Sequence, residues 1–109
     1  MELVPHIKQL LSVAGLSGNE GAVRELLREA WAPLCDELIT TPGGSFVGVQ
    51  HGTGKAPRPK VLIAAHMDAI GLMVTNIEEG FLYFTQVGGV DPRILPGQMV
   101  TVHASAEGA

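Results

Sequence analysis

The sequence has a single cysteine, Cys35. That excludes an internal disulfide and any cysteine cluster for zinc, and a lone thiol fits a reducing cytoplasm. Its simplest role is that of a small core residue. A basic cluster is also missing. Seven Lys and Arg mix with eleven Asp and Glu along the chain, for a net charge of −4, which argues against a nucleic-acid partner. The first turns hold Glu2, Pro5 and Lys8 and lack a cationic segment followed by a long apolar one. They read as neither a signal peptide nor a membrane span, and no membrane partner is expected. Internal repeats and low-complexity tracts are absent. So is a phosphate loop: around Gly54-Lys55 the motif needs a glycine where Val49 stands and a Ser or Thr where Ala56 stands.

What remains is a chain of 109 residues, 46% hydrophobic and 17% charged. That is material for one small domain or part of a larger one, with no mark of disorder. The chain is organised around the run from Val61 to Val74. Val61-Leu62-Ile63-Ala64-Ala65 is continuously apolar and reads as a strand buried on both faces. His66 and Asp68 follow it. Side chains two apart on a strand share a face, so imidazole and carboxylate are expected side by side at the strand's C-terminal end, where open α/β sheets bind ligands. A carboxylate so placed fixes a histidine tautomer and aims the free nitrogen at a metal. A buried histidine merely satisfied by its neighbour fits the same spacing.

Pro5 to Ala14 predicts a helix with Ile7, Leu10, Leu11 and Ala14 on one face and Gly15 closing it. Glu20 to Ala32 predicts a second, with Val23, Leu26, Leu27, Ala30 and Trp31 as its apolar stripe and Pro33 ending it. Ser17 and Glu20 have capping-box spacing, with Asn19 as the alternative cap. Glu37–Thr40 and Phe46–Gln50 are short β-prone runs around the turn Thr41–Ser45. Residues 52–59 read as a surface loop. Beyond Gly71 the period changes. Leu72–Ile77 and Phe81–Val87 predict a hairpin through Glu78-Glu79-Gly80. Gly88–Pro92 is turn chemistry, and Met99–His103 predicts a last strand. A helix-rich α/β block thus gives way to consecutive antiparallel β, each too small to be complete alone.

The stretch Ala65-His66-Met67-Asp68-Ala69-Ile70-Gly71-Leu72-Met73-Val74 resembles the signature of the M42 family of metallo-aminopeptidases. That family includes TET aminopeptidases, glutamyl aminopeptidases and relatives named endoglucanases. The run Gly88 to Gln98 and the segment Leu16-Ser17-Gly18-Asn19-Glu20 resemble the same family, in its order and spacing. The resemblance implies an α/β peptidase core interrupted, after the His-x-Asp strand, by a β-rich dimerisation domain. Residues 1–70 would be the N-terminal part of the catalytic α/β domain, a partial three-layer core, and residues 71–109 a truncated β-rich dimerisation domain. It further implies that His66 ligates one metal of a two-metal site, that Asp68 orients His66, and that the metals are divalent, zinc or cobalt. The substrate would be a peptide losing its N-terminal residues, and the protein a cytoplasmic homo-oligomer. The chain departs from the family at Ala69, where members usually carry Glu, and at Pro42-Gly43-Gly44-Ser45, where they tend to a Leu-Gly-Asn turn. The bridging carboxylate, the general-base Glu and the other ligands lie downstream in the family, so the chain alone is expected to be inactive. A non-catalytic β-rich interaction module is the competing reading. A glycan hydrolase lacks support, because no pair of acids is placed to flank a glycosidic bond.

Overall fold

A computed structural model describes residues 2–104. The chain divides into two compact units, Met1–Asp68 and Ala69–Ala109. The elements are mixed α and β, with each sheet a two-stranded antiparallel pair.

In the first unit, helix α1 spans Leu3–Ser12 and helix α2 spans Gly21–Trp31. Strands β1, Glu37–Thr40, and β2, Phe46–Val49, pair antiparallel with Glu37 opposite Val49 and Thr40 opposite Phe46. The turn between them closes through Thr41, whose carbonyl and hydroxyl accept from Gly44 N and Ser45 N. The amphipathic stripe of α2 does what its spacing predicts. Val23 is buried. Trp31 stacks on Phe46 of β2 with ring centroids 5.4 Å apart, and Arg28 lies 5.1 Å above the same ring, a cation–π contact on top of an aromatic pair. The stripe of α1 is less satisfied, for Ile7 and Leu11 remain exposed.

Three expectations fail in this unit. Helix α1 begins at Leu3 and is capped at Val13, so Gly15 does not close it. Ser17 and Glu20 form no capping box. Glu20 is itself the N-cap of α2 without a side-chain cap bond, and its carboxylate accepts from Gly18 N at 2.7 Å instead. The largest correction concerns Val61–Ala65, which is neither a strand nor buried: Val61, Leu62 and Ile63 are 86, 86 and 92% exposed. A strand buried on both faces needs a ladder on each edge and cover on each side. Strands β1 and β2 satisfy each other, and among the described residues no strand lies alongside 61–65.

In the second unit, β3, Gly71–Glu78, pairs antiparallel with β4, Phe81–Val87. The register shifts between Val74 and Asn76, leaving Thr75 in a bulge, where its hydroxyl donates to Tyr83 O at 3.3 Å. Glu79 and Gly80 turn the hairpin with φ of 50° and 83°, the positive φ at both positions that a type I′ turn requires. Met73, Val74, Ile77, Phe81, Leu82, Tyr83 and Phe84 are all exposed. A 3-10 turn, Pro92–Ile94, follows, with Asp91 capping it through Arg93 N at 3.0 Å. The expected strand Met99–His103 does not form. Its residues are exposed and, among the described residues, pair with no other strand, because β propensity without a neighbouring edge yields no ladder. From its sequence the tail Ala104–Ala109 offers nothing to pack, and residues 105–109 of it lie outside those described.

Glu79 is a poor choice for its left-handed backbone, whereas asparagine beside Gly80 is the favoured pair. Glu79→Asn is expected to slow hydrogen exchange of the β3 and β4 amides roughly two- to fivefold, equivalent to about 0.5–1 kcal/mol. Unchanged or faster exchange would contradict the turn assignment.

Candidate functional site

The site forms where the loop after α1 meets the end of the apolar run, inside the first unit. Leu16–Asn19 is a tight turn, with Asn19 N donating to Leu16 O at 2.7 Å. Gly15, buried just before it, has no room for a side chain. A Cβ there would lie 2.6 Å from Val23 Cγ2 and 4.0 Å from Met67 O. Glycine thus lets the chain pack tightly on Val23, with the Met67 carbonyl at ordinary van der Waals distance on the same side.

Ser17 lies against Asp68. The Ser17 hydroxyl donates to Asp68 Oδ2. On the other side, His66 Nδ1 lies 3.2 Å from Asp68 Oδ1 and 3.0 Å from Asp68 O. The backbone is not a strand there, yet imidazole and carboxylate do lie side by side. Both neighbours of Nδ1 are acceptors, so in the neutral ring Nδ1 must carry the proton. The lone pair is then on Nε2, and the ring that bears it is 86% exposed, against 40% for Asp68.

The Ser17 hydroxyl is the largest influence holding the Asp68 carboxyl below its ordinary value. Lost hydration, the next largest influence, opposes it, while the Asp68 backbone N–H and His66 act in the same direction as Ser17. The order serine–carboxylate–imidazole differs from that of a nucleophilic triad, in which the imidazole takes the serine proton. Ser17 serves here as a donor to a carboxylate. Sequence reasoning missed it, because local spacing made it a helix cap and its acceptor lies 51 residues away.

Among the described residues no group of three or more His, Cys, Asp and Glu could hold a metal. Among the described acids, Asp36, Glu37 and Asp91 have partners of their own. The His51 ring pairs with Glu37 at 3.1 Å, and the His51 backbone N–H donates to the Asp36 carboxylate. Asp91 takes the Arg93 guanidinium at 2.7 Å, which lowers the Asp91 carboxyl and raises Arg93.

Comparison with known proteins decides the family. The profile of the M42 glutamyl aminopeptidases matches residues 44–109. The chain belongs to that family. The glutamyl aminopeptidase of Lactococcus lactis subsp. cremoris is 35% identical over 108 residues, covering 94% of this chain and 29% of that protein. Among solved structures, an endoglucanase from Thermotoga maritima superposes with a TM-score of 0.77 at 41% identity, covering 84% of this chain and 29% of that one. A TET aminopeptidase from a marine sediment archaeon of the Thaumarchaeota gives 0.77 at 34% identity, with 86% and 26% covered. This M42 chain thus spans less than a third of the length of these relatives.

A folded-state carboxyl held low stabilises the fold above the unfolded value, near pH 4, and loses that contribution as pH falls through the folded value. NMR titration of the Asp68 carboxyl carbon is expected to find it below the ordinary range. In Ser17→Ala it should move up toward that range, and the acid-limb stability it supplies should shrink. An Asp68 that titrates normally in the unmodified chain would contradict the geometry.

Proposed function

We propose that this chain is the N-terminal portion of a two-metal aminopeptidase that removes N-terminal residues from peptides, with His66 as one metal ligand. The observation that carries the proposal is the His66–Asp68 pair: Nδ1 is tied to two oxygens of Asp68 while the ring is exposed. That is the arrangement by which a carboxylate readies a histidine as a ligand through its other nitrogen. Family membership supports the reading.

One imidazole fits one ligand position, whereas zinc sites use three or four protein ligands. The described residues bring together a single donor with its orienting carboxylate, too few groups to carry a reaction step. Zinc or cobalt, when bound in pairs, supplies Lewis acidity and an activated water. This chain's own contribution is narrower: Asp68 keeps the proton on Nδ1 and points Nε2 outward. Ala69 adds no carboxylate beside them. In the same reading, residues 1–70 begin a three-layer catalytic core and Val61–Ala65 is one of its inner strands. Burying Val61, Leu62 and Ile63 there would contribute about 1.5–3 kcal/mol each. A free Cys35 accords with a cytoplasmic location.

The second reading, a β-rich interaction module, rests on the β3–β4 hairpin. Residues 71–109 would open a dimerisation domain. Apolar side chains point from both of its faces into solvent, and a two-stranded sheet is marginal alone. Light scattering is expected to find dimers or larger species. A stable monomer at high concentration would count against association through this hairpin.

For the metal reading, calorimetric zinc titration is expected to show weak binding that His66→Ala removes. Tight stoichiometric binding that survives His66→Ala would refute the ligand assignment. Amino-acid p-nitroanilides with added zinc, cobalt or manganese should not be turned over by this chain. Chelator-sensitive turnover abolished by His66→Ala would show instead that the chain completes a site by itself.

A further inference from the structure

We propose that Ser17 is a positioning residue for His66, acting through Asp68. The proposal deepens the reading of His66 as a ligand and rests on it for its purpose, but it can be tested without any metal.

An imidazole exposed to this degree has little packing to hold it. Its orientation depends on what Nδ1 meets, namely the backbone oxygen and one carboxylate oxygen of Asp68. The backbone oxygen is fixed by the chain. The carboxylate is not, because an aspartate side chain can swing and its terminal torsion is broad. Ser17 removes that freedom. Its hydroxyl occupies Oδ2, which leaves Oδ1 turned toward His66. The hydroxyl is in turn held by the Leu16–Asn19 turn and by the approach of Gly15 to Val23. A line of support thus runs from the packed side of the unit to the exposed ring: turn, hydroxyl, carboxylate, imidazole.

A purely structural role is the competing explanation, with Ser17 merely stitching the loop to residue 68. The two roles differ in one readout. A stitch affects whether the loop stays docked, whereas a positioning hydroxyl sets which ring nitrogen of His66 carries the proton. The tautomer is read from the ring 15N shifts and long-range 15N–1H couplings of the 109-residue chain, without metal and at a pH where the ring is neutral.

The unmodified chain is expected to hold His66 chiefly as the Nδ1–H tautomer. In Ser17→Ala the ratio of Nδ1–H to Nε2–H should fall about fivefold, the effect of one ordinary hydrogen bond. The fall stops short of complete loss because the Asp68 backbone oxygen remains. Ser17→Thr keeps a hydroxyl and should restore the ratio. Ser17→Cys keeps the volume with a weak donor and should behave like Ser17→Ala. It decides the matter if Ser17→Ala fails to fold, as judged from the amide spectrum. An unchanged ratio in a folded Ser17→Ala or Ser17→Cys chain would overturn the proposal, as would a Ser17→Thr chain that behaves like Ser17→Ala. Failure of the ligand reading would look different: zinc binding indifferent to His66, with the tautomer still responding to Ser17.

Discussion

A carboxylate has two oxygens, and the candidate site depends on each having its own donor. Asp68 Oδ2 takes the Ser17 hydroxyl and Oδ1 takes His66 Nδ1. Remove the hydroxyl and the carboxylate is free to turn, which leaves the Asp68 backbone oxygen as the partner that still holds Nδ1. The cluster is charge-assisted, which makes its hydrogen bonds stronger than neutral ones. It also sits partly in solvent, which limits what it adds to stability. Its consequence is directional: one ring nitrogen is used up inside the chain and the other is left to the outside.

The surroundings of the cluster explain why it forms even though much of the expected core does not. Val23 and Gly15 meet closely enough to exclude a Cβ, Met67 O lies nearby, and the Ser17 hydroxyl reaches Asp68. The α2 helix reaches the β1–β2 hairpin through Trp31 on Phe46. By contrast, Val61, Leu62 and Ile63 stand in solvent. The chain aligns with less than a third of the length of its relatives. In the proposed reading, the layers that would cover this apolar run belong to the remaining two thirds of such a protein, and the run has strand composition because it is meant to be an inner strand there.

How much was legible in the sequence follows from the range of the interactions involved. Local ones were. The i, i+3, i+4 spacing of Val23, Leu26, Leu27 and Trp31 marks α2, and Thr41–Ser45 and Glu79-Gly80 mark the hairpin turns, because propensity and turn chemistry act within a few residues. Burial was not. The apolar run 61–65 and the segment 99–103 carry strand composition, but a strand exists only when another edge accepts its backbone. The candidate site divides along the same line. The His66–Asp68 neighbourhood is a two-residue relation and survives even without the strand that suggested it. Ser17 is a long-range partner, and the local signal it does carry, capping-box spacing, points to the wrong acceptor.

In the proposed reading, Asp68 occupies Nδ1 of His66 and leaves Nε2 for a metal. The most direct measurement follows the two ring nitrogens of His66 by 15N NMR as zinc is added to the unmodified chain. Nε2 is expected to move strongly with zinc while Nδ1 keeps its proton and its coupling. A zinc-dependent loss of the Nδ1 proton, or a ring that ignores zinc while another group in the chain binds it, would contradict the claim.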